Sequence, residues 1–191
     1  DPKVQKAIGR IQSLELTAQA AARMRAVGVN ALNLDLIYGL PFQTAEGVRD
    51  TVRQALSLRP NRVAVFGYAH VPWMKKSQAL IPTEALPDRD ARFDQRAAAE
   101  DTIAAAGYVR VGMDHFALPD DDLAVAAGNG TLRRNFQGYT TDTANTLLGF
   151  GASSIGSLPQ GYVQNRPSIP DWLDAVRADR LPIARGIALT G

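Results

Sequence analysis

The sequence predicts an α/β fold: a partial parallel (β/α) barrel of TIM type. Three observations carry that expectation. Strand-like and helical runs alternate through the first half of the chain. One strand-like run bears polar residues at every second position, as expected where a barrel lumen doubles as a site. The polar and aromatic residues with chemical potential follow the C-terminal ends of the strands, where such barrels place their working groups.

The elements follow in order. Asp1-Pro2 reads as the cap and first turn of a helix whose preceding strand lies outside the sequence. Residues 17–27 are rich in helix formers and stop at Gly28. Residues 31–38 form a strand with Leu32, Leu34 and Leu36 on one face and Asn33 and Asp35 on the other. Gly39-Leu40-Pro41 ends it, Thr44 caps the next helix, and Val48, Val52, Ala55 and Leu56 supply the apolar stripe. A second strand covers 62–68, followed by a loop over 69–76. A long helix over 88–106 closes at Gly107, and 109–113 is expected as a third strand. Residues 119–127 read as helical and 131–141 as an irregular loop. Residues 147–155 read as a buried strand broken by Gly149 and Gly151, and 171–178 as a short helix.

Composition bounds the function. With 191 residues, 46% of them hydrophobic, the chain can bury a core and forms one domain or a large part of one. A net charge of +2 with no basic run gives no reason to expect nucleic-acid binding. No apolar stretch is long enough for a membrane helix, and Asp1-Pro2-Lys3-Val4 is not a signal peptide, so a cytoplasmic location is expected. The sequence contains no cysteine, which removes disulfides and thiolate metal sites within it.

Both histidines, His70 and His115, follow expected strand ends, as do Tyr68, Ala69 and Asp114, while Asp35 lies toward the end of its strand. That coincidence favours a site. Asp35, His70, Asp114 and His115 offer ligands for a metal hydrolase. No His-x-His or His-Glu-x-x-His spacing supports that use, and Asp114 and His115 are expected on opposite faces of a strand, so no residue is assigned as a metal ligand. Gly149-x-Gly151 lacks the third glycine of a dinucleotide fingerprint, and Ser153 and Ser154 lack the setting of a nucleophilic serine.

Four stretches narrow the reading further. Asn33-Leu34-Asp35-Leu36-Ile37-Tyr38-Gly39-Leu40-Pro41 resembles a late barrel strand of radical S-adenosylmethionine (radical SAM) enzymes. Tyr68-Ala69-His70-Val71-Pro72, Met113-Asp114-His115-Phe116-Ala117 and Asn135-Phe136-Gln137-Gly138-Tyr139-Thr140-Thr141 resemble, more narrowly, the oxygen-independent coproporphyrinogen III oxidases. The resemblance runs from Val4 to Thr190. It implies the late strands and helices of a radical SAM barrel over 1–160, and the start of a connection to a C-terminal domain over 161–191.

The resemblance also implies a chemistry. A 4Fe–4S cluster, held by cysteines outside this sequence, and S-adenosylmethionine generate a radical. That radical takes hydrogen from the β-carbon of a propionate, CO2 leaves as one electron passes to an acceptor, and a vinyl group remains. Two propionates of coproporphyrinogen III are converted, giving protoporphyrinogen IX. No particular electron-transfer partner is implied, and the isolated chain is expected to be inactive. Arg10, Asp35, Ala69 and Ile155 match S-adenosylmethionine contacts: Arg10 for a carboxylate, Asp35 for a hydroxyl or amino group, Ala69 through its backbone. Ile155, with Phe136 and Gln137, matches the substrate or second-cofactor side, and Arg134 is the best-placed cation for a propionate.

A substrate with four carboxylates on planar pyrrole rings calls for cations beside aromatic surface, and Lys75, Lys76, Arg133 and Arg134 with Trp73, Phe136 and Tyr139 are the candidates. Two positions depart from the family pattern: Arg133 stands where His is usual, and Leu118 where Arg is usual. Two alternatives stay open, a non-catalytic haem-binding chaperone of the same superfamily and a barrel metallohydrolase. An incomplete barrel exposes strand edges, so the isolated chain is expected to self-associate.

Overall fold

Helices in this protein begin where a short polar side chain accepts hydrogen bonds from the free N–H groups of the first turn. In the computed structural model, which describes residues 1–189, Asp1 does this for α1 (Pro2–Ala7) and Ser13 for α2 (Leu14–Ala26). Thr44 caps α3 (Ala45–Ser57), Asp88 caps α4 (Arg89–Ala105), Asp121 caps α5 (Asp122–Gly128) and Ser168 caps α6 (Ile169–Arg177). Thr190 and Gly191, the end of the expected connecting segment, lie outside the described residues. No helix among the described residues is long and apolar enough to cross a membrane.

The chain divides into two compact units, Asp1–Leu132 and Arg133–Gly191, a division by packing that differs from the expected family boundary after residue 160.

In the first unit β1 (Asn33–Tyr38) and β2 (Arg62–Gly67) run parallel, in register from Asn33 opposite Arg62 to Tyr38 opposite Gly67. α3 is the crossover between them, as parallel pairing requires. Strand alternation turns Leu36 and Tyr38 toward the helices and leaves Asn33, Asp35 and Ile37 exposed on the other face. Val48 and Val52 of α3, Val63 and Val65 of β2, and Ala99 and Ile103 of α4 form the core with Tyr108 and Phe116. The expected helix stripe and strand faces are those observed.

The expected third strand over 109–113 is formed only at its first two residues, and it is antiparallel to its neighbour. The chain instead makes two short antiparallel strands, β3 (Val109–Arg110) and β4 (His115–Ala117), and the sheet order is β1-β2-β4-β3. The reason is a tight reversal: the Val111 N–H donates to the His115 carbonyl, and β4 returns antiparallel to β2. Arg62 fixes this end of the sheet, its Nε lying 2.8 Å from Oδ2 of the nearly buried Asp121.

In the second unit the expected irregular loop over 131–141 contains an antiparallel hairpin, β5 (Arg133–Asn135) and β6 (Gly138–Thr140). Asn135 Oδ1 accepts the Gln137 N–H at 2.8 Å, and Gly138 supplies the positive φ of 129° that closes the two-residue turn. The expected strand over 147–155 is likewise replaced. Leu147 makes one isolated bridge to Ser157, and the regular strand starts only at Ile155. A side chain on Gly149 would stand 2.9 Å from the Ile155 backbone, so the chain folds back on itself there. The sheet proper is β7 (Ile155–Leu158), β8 (Gly161–Asn165) and β9 (Ile183–Ala188), all antiparallel.

Candidate functional site

Asp35 projects from the middle of β1, rather than near its end, on the face opposite the helical core. The register places Asp35 beside Ala64, and Ala64 beside His115, in one row across the sheet. Asn33 Nδ2 donates to Asp35 Oδ1 at 2.6 Å, and no ion pair engages the carboxylate among the described residues. His115 stands edge-on to Phe66, ring centroids 5.8 Å apart. Its Nδ1 lies 2.7 Å from Asp114 Oδ1, so these neighbours are hydrogen-bonded rather than directed to opposite faces as expected. The cause is the reversal into β4, where Asp114 is a bend residue and not part of a strand. Among the described residues no group of three or more His, Asp or Glu side chains is placed to hold a metal ion.

Ala69 is exposed on the loop that leaves β2. Side chains from later in the chain hold that loop. Gln78 Nε2 donates to the Ala69 carbonyl at 3.1 Å, and Gln78 Oε1 accepts the Val71 N–H at 2.6 Å. Arg92 Nη2 donates to the Tyr68 carbonyl at 2.8 Å. The Tyr68 hydroxyl is 3.0 Å from His70 Nδ1, and burial pushes its phenol pKa up. Sequence reasoning missed Gln78 and Arg92, because a glutamine clamping backbone groups at seven and nine residues' distance leaves no periodic trace.

Arg10 is exposed in the connection between α1 and α2, its guanidinium 3.4 Å from Gln12 Oε1. Lys75, Lys76 and Trp73 are exposed. A cleft of about 430 Å³ lies on the helix side, lined by Tyr38, Arg89, Arg92, Phe93 and Arg96.

In the second unit Phe136, at the tip of the β5–β6 hairpin, stands edge-on to Tyr162 of β8 with centroids 5.1 Å apart. Phe136 and Ile155 line one groove of about 260 Å³, so two residues predicted from separate stretches are brought together. Arg134 stacks over Tyr139 at 5.4 Å, and Arg133 donates to the Thr143 carbonyl at 3.3 Å. Gln137 contributes its N–H to the hairpin turn.

No protein-family model matches the chain. It is 56% identical, over its whole length, to an oxygen-independent coproporphyrinogen III oxidase of Bradyrhizobium diazoefficiens, and 49% identical to that of Paracoccus denitrificans. The chain is homologous to part of these oxidases. It spans 42% of the length of each. Its structure matches that of the coproporphyrinogen III oxidase from Escherichia coli, described as a radical SAM enzyme, with a TM-score of 0.95 at 39% identity. That match covers all of this chain and 44% of the other. The α/β architecture expected from the sequence is therefore the architecture of this oxidase over the matched residues.

Proposed function

We propose that the chain is part of an oxygen-independent coproporphyrinogen III oxidase, whose complete polypeptide converts two propionates of coproporphyrinogen III to vinyl groups and yields protoporphyrinogen IX. The observation that carries this reading is the 56% identity sustained across the whole chain. A cytoplasmic location is part of the proposal.

The residues of the first unit suit S-adenosylmethionine. Asp35 offers an exposed carboxylate without an ion-pair partner among the described residues, beside the small side chain of Ala64. Such a group accepts hydrogen bonds from a ribose hydroxyl or an ammonium. Ala69 has a side chain small enough for a ligand to approach its backbone, and Gln78 holds that backbone still. Arg10 is assigned to the methionine carboxylate. The iron–sulfur cluster is different: with no cysteine, this sequence supplies no thiolate ligand for it. When bound, the cofactor supplies the agent that removes hydrogen from the substrate.

In the second unit Phe136 and Ile155 give an apolar wall that excludes water from a reactive carbon. Arg134, stacked on Tyr139, is assigned to a substrate carboxylate, and Gln137 to the substrate or second-cofactor side.

The test is anaerobic incubation of the complete polypeptide, cluster reconstituted, with S-adenosylmethionine, a reductant and coproporphyrinogen III. Protoporphyrin after oxidation, dependent on S-adenosylmethionine, is the expected product. Cleavage of S-adenosylmethionine with the porphyrinogen untouched would remove the substrate assignment and keep the superfamily.

A further inference from the structure

Arg185 of β9 is the cation of the groove in the second unit. The antiparallel register sets Ile155, Gln164 and Arg185 in one row across the sheet, and Tyr162 and Ile187 in the next row on the same face. Phe136 closes the groove from the hairpin tip. Gln164 Nε2 donates to the Ser153 carbonyl at 3.2 Å, and its Oε1 accepts Arg185 Nε–H at 2.7 Å. This relay fixes one edge of the guanidinium and leaves its terminal amino groups without a hydrogen bond or carboxylate partner among the described residues.

We propose that Arg185 is the carboxylate anchor of this groove, which seats one pyrrole ring of a porphyrinogen together with its propionate. The inference rests on the functional reading above and adds a substrate contact to it. A guanidinium fork matches a carboxylate in two parallel hydrogen bonds, and here it is already oriented by Gln164. Phe136, Tyr162, Ile155 and Ile187 offer a flat ring apolar and aromatic surface. A sugar phosphate would satisfy the guanidinium equally well, but its hydroxyls would lose water against these side chains without gaining partners. The volume, about 260 Å³, lies below the ~300–1,000 Å³ usual for a complete ligand pocket, which fits one arm of a macrocycle and not the whole of it. Sequence reading missed Arg185 because Ile155, Tyr162 and Gln164 are brought to it only by strand pairing across twenty residues or more.

The test uses the complete polypeptide without reductant, so that no turnover occurs. Coproporphyrin III, the stable oxidised form with its four carboxylates, and its tetramethyl ester are titrated by fluorescence. The acid is expected to bind roughly tenfold more tightly than the ester. Arg185→Gln should lower affinity for the acid roughly tenfold and leave the ester unchanged, while Arg185→Lys should recover part of the loss. Ile187→Ala should weaken acid and ester alike, and it reads the apolar wall independently of the charge. Unchanged acid binding by Arg185→Gln, with its thermal midpoint intact, overturns the anchor while the functional reading stands. A native protein that cleaves S-adenosylmethionine but binds neither porphyrin overturns both.

Discussion

Asp35 and His115 occupy the same row of the first unit's sheet, two strands apart, with only Ala64 between them. Ala64 is fully buried, and its methyl is the smallest side chain that still covers the backbone at this point. The row carries a carboxylate at one side and an imidazole at the other. Enlarging Ala64 adds volume at a fully buried position between these two groups while leaving both in the chain. Ala64→Leu is expected to cost about 1–3 kcal/mol of stability through overpacking and to weaken S-adenosylmethionine binding at least tenfold. Asp35→Asn should weaken binding by about tenfold with little change in stability, because its one hydrogen-bond partner in the fold is the exposed Asn33 side chain, which an amide oxygen can still accept. Calorimetric titration and thermal unfolding of the complete polypeptide check both; tight binding by Ala64→Leu would place the ligand elsewhere.

Gln95 is 1% exposed, and both ends of its amide are used. Its Oε1 accepts the Gly39 N–H at 2.8 Å, and its Nε2 donates to the Gln43 carbonyl at 2.8 Å, so α4 holds the loop that leaves β1. Gln95→Leu keeps the volume but leaves one buried and one partly buried backbone group without this partner. The expected loss is about 2–5 kcal/mol, near the cost of two unsatisfied groups, read as a fall in unfolding midpoint. A loss under 1 kcal/mol would mean that water replaces the amide there.

Gln78 poses the complementary case, a clamp on a half-buried loop rather than in the core. Gln78→Ala should leave the thermal midpoint nearly unchanged and raise the dissociation constant for S-adenosylmethionine several-fold, since the Ala69 backbone would no longer be held in place. Equal affinity in the variant would show that the Ala69 backbone does not depend on this clamp for binding.

The parts of the fold legible in the sequence are those that local rules determine. Thr44 and Asp88 announce their helices, and the leucine alternation of β1 announces which face is buried, because a cap and a period-two pattern each act within a few residues. The strands over 109–117 and 155–188 were not legible for the opposite reason. Val109 and Arg110 are both exposed, as is every residue of β9, so no apolar alternation marks them. Their pairing is decided by where the chain reverses: at residues 111–115 and at Gly161, where any side chain would strike the Ile187 carbonyl. The site divides the same way. Asp35 and Phe136 stand out within recognisable stretches, whereas Gln78, Gln164 and Arg185 acquire their roles only from partners distant in sequence.

The last prediction concerns acid. Glu100 of α4 lies between two arginines, with Arg96 Nε 2.8 Å from Oε1 and Arg110 Nη2 2.5 Å from Oε2. Partial burial pushes the Glu100 pKa up, but the hydrogen bonds from Arg96 and Arg110 together outweigh it and hold the carboxyl below its ordinary value of 4.5. A group whose pKa is depressed by folding stabilises the fold fully above its unfolded value and loses that contribution as pH falls through the folded value. Both arginines are nearly half exposed, and solvent screening keeps the effect to about 1 kcal/mol. The native protein should therefore exceed Glu100→Gln in stability by about that amount at neutral pH. The margin should close as pH drops below 4.5. Unfolding midpoints of the two proteins, measured in parallel down the acid range, give the comparison. A margin that stayed constant or widened on acidification would show that Glu100 contributes through packing and not through its charge, since only the charged form is favoured by the two guanidinium groups.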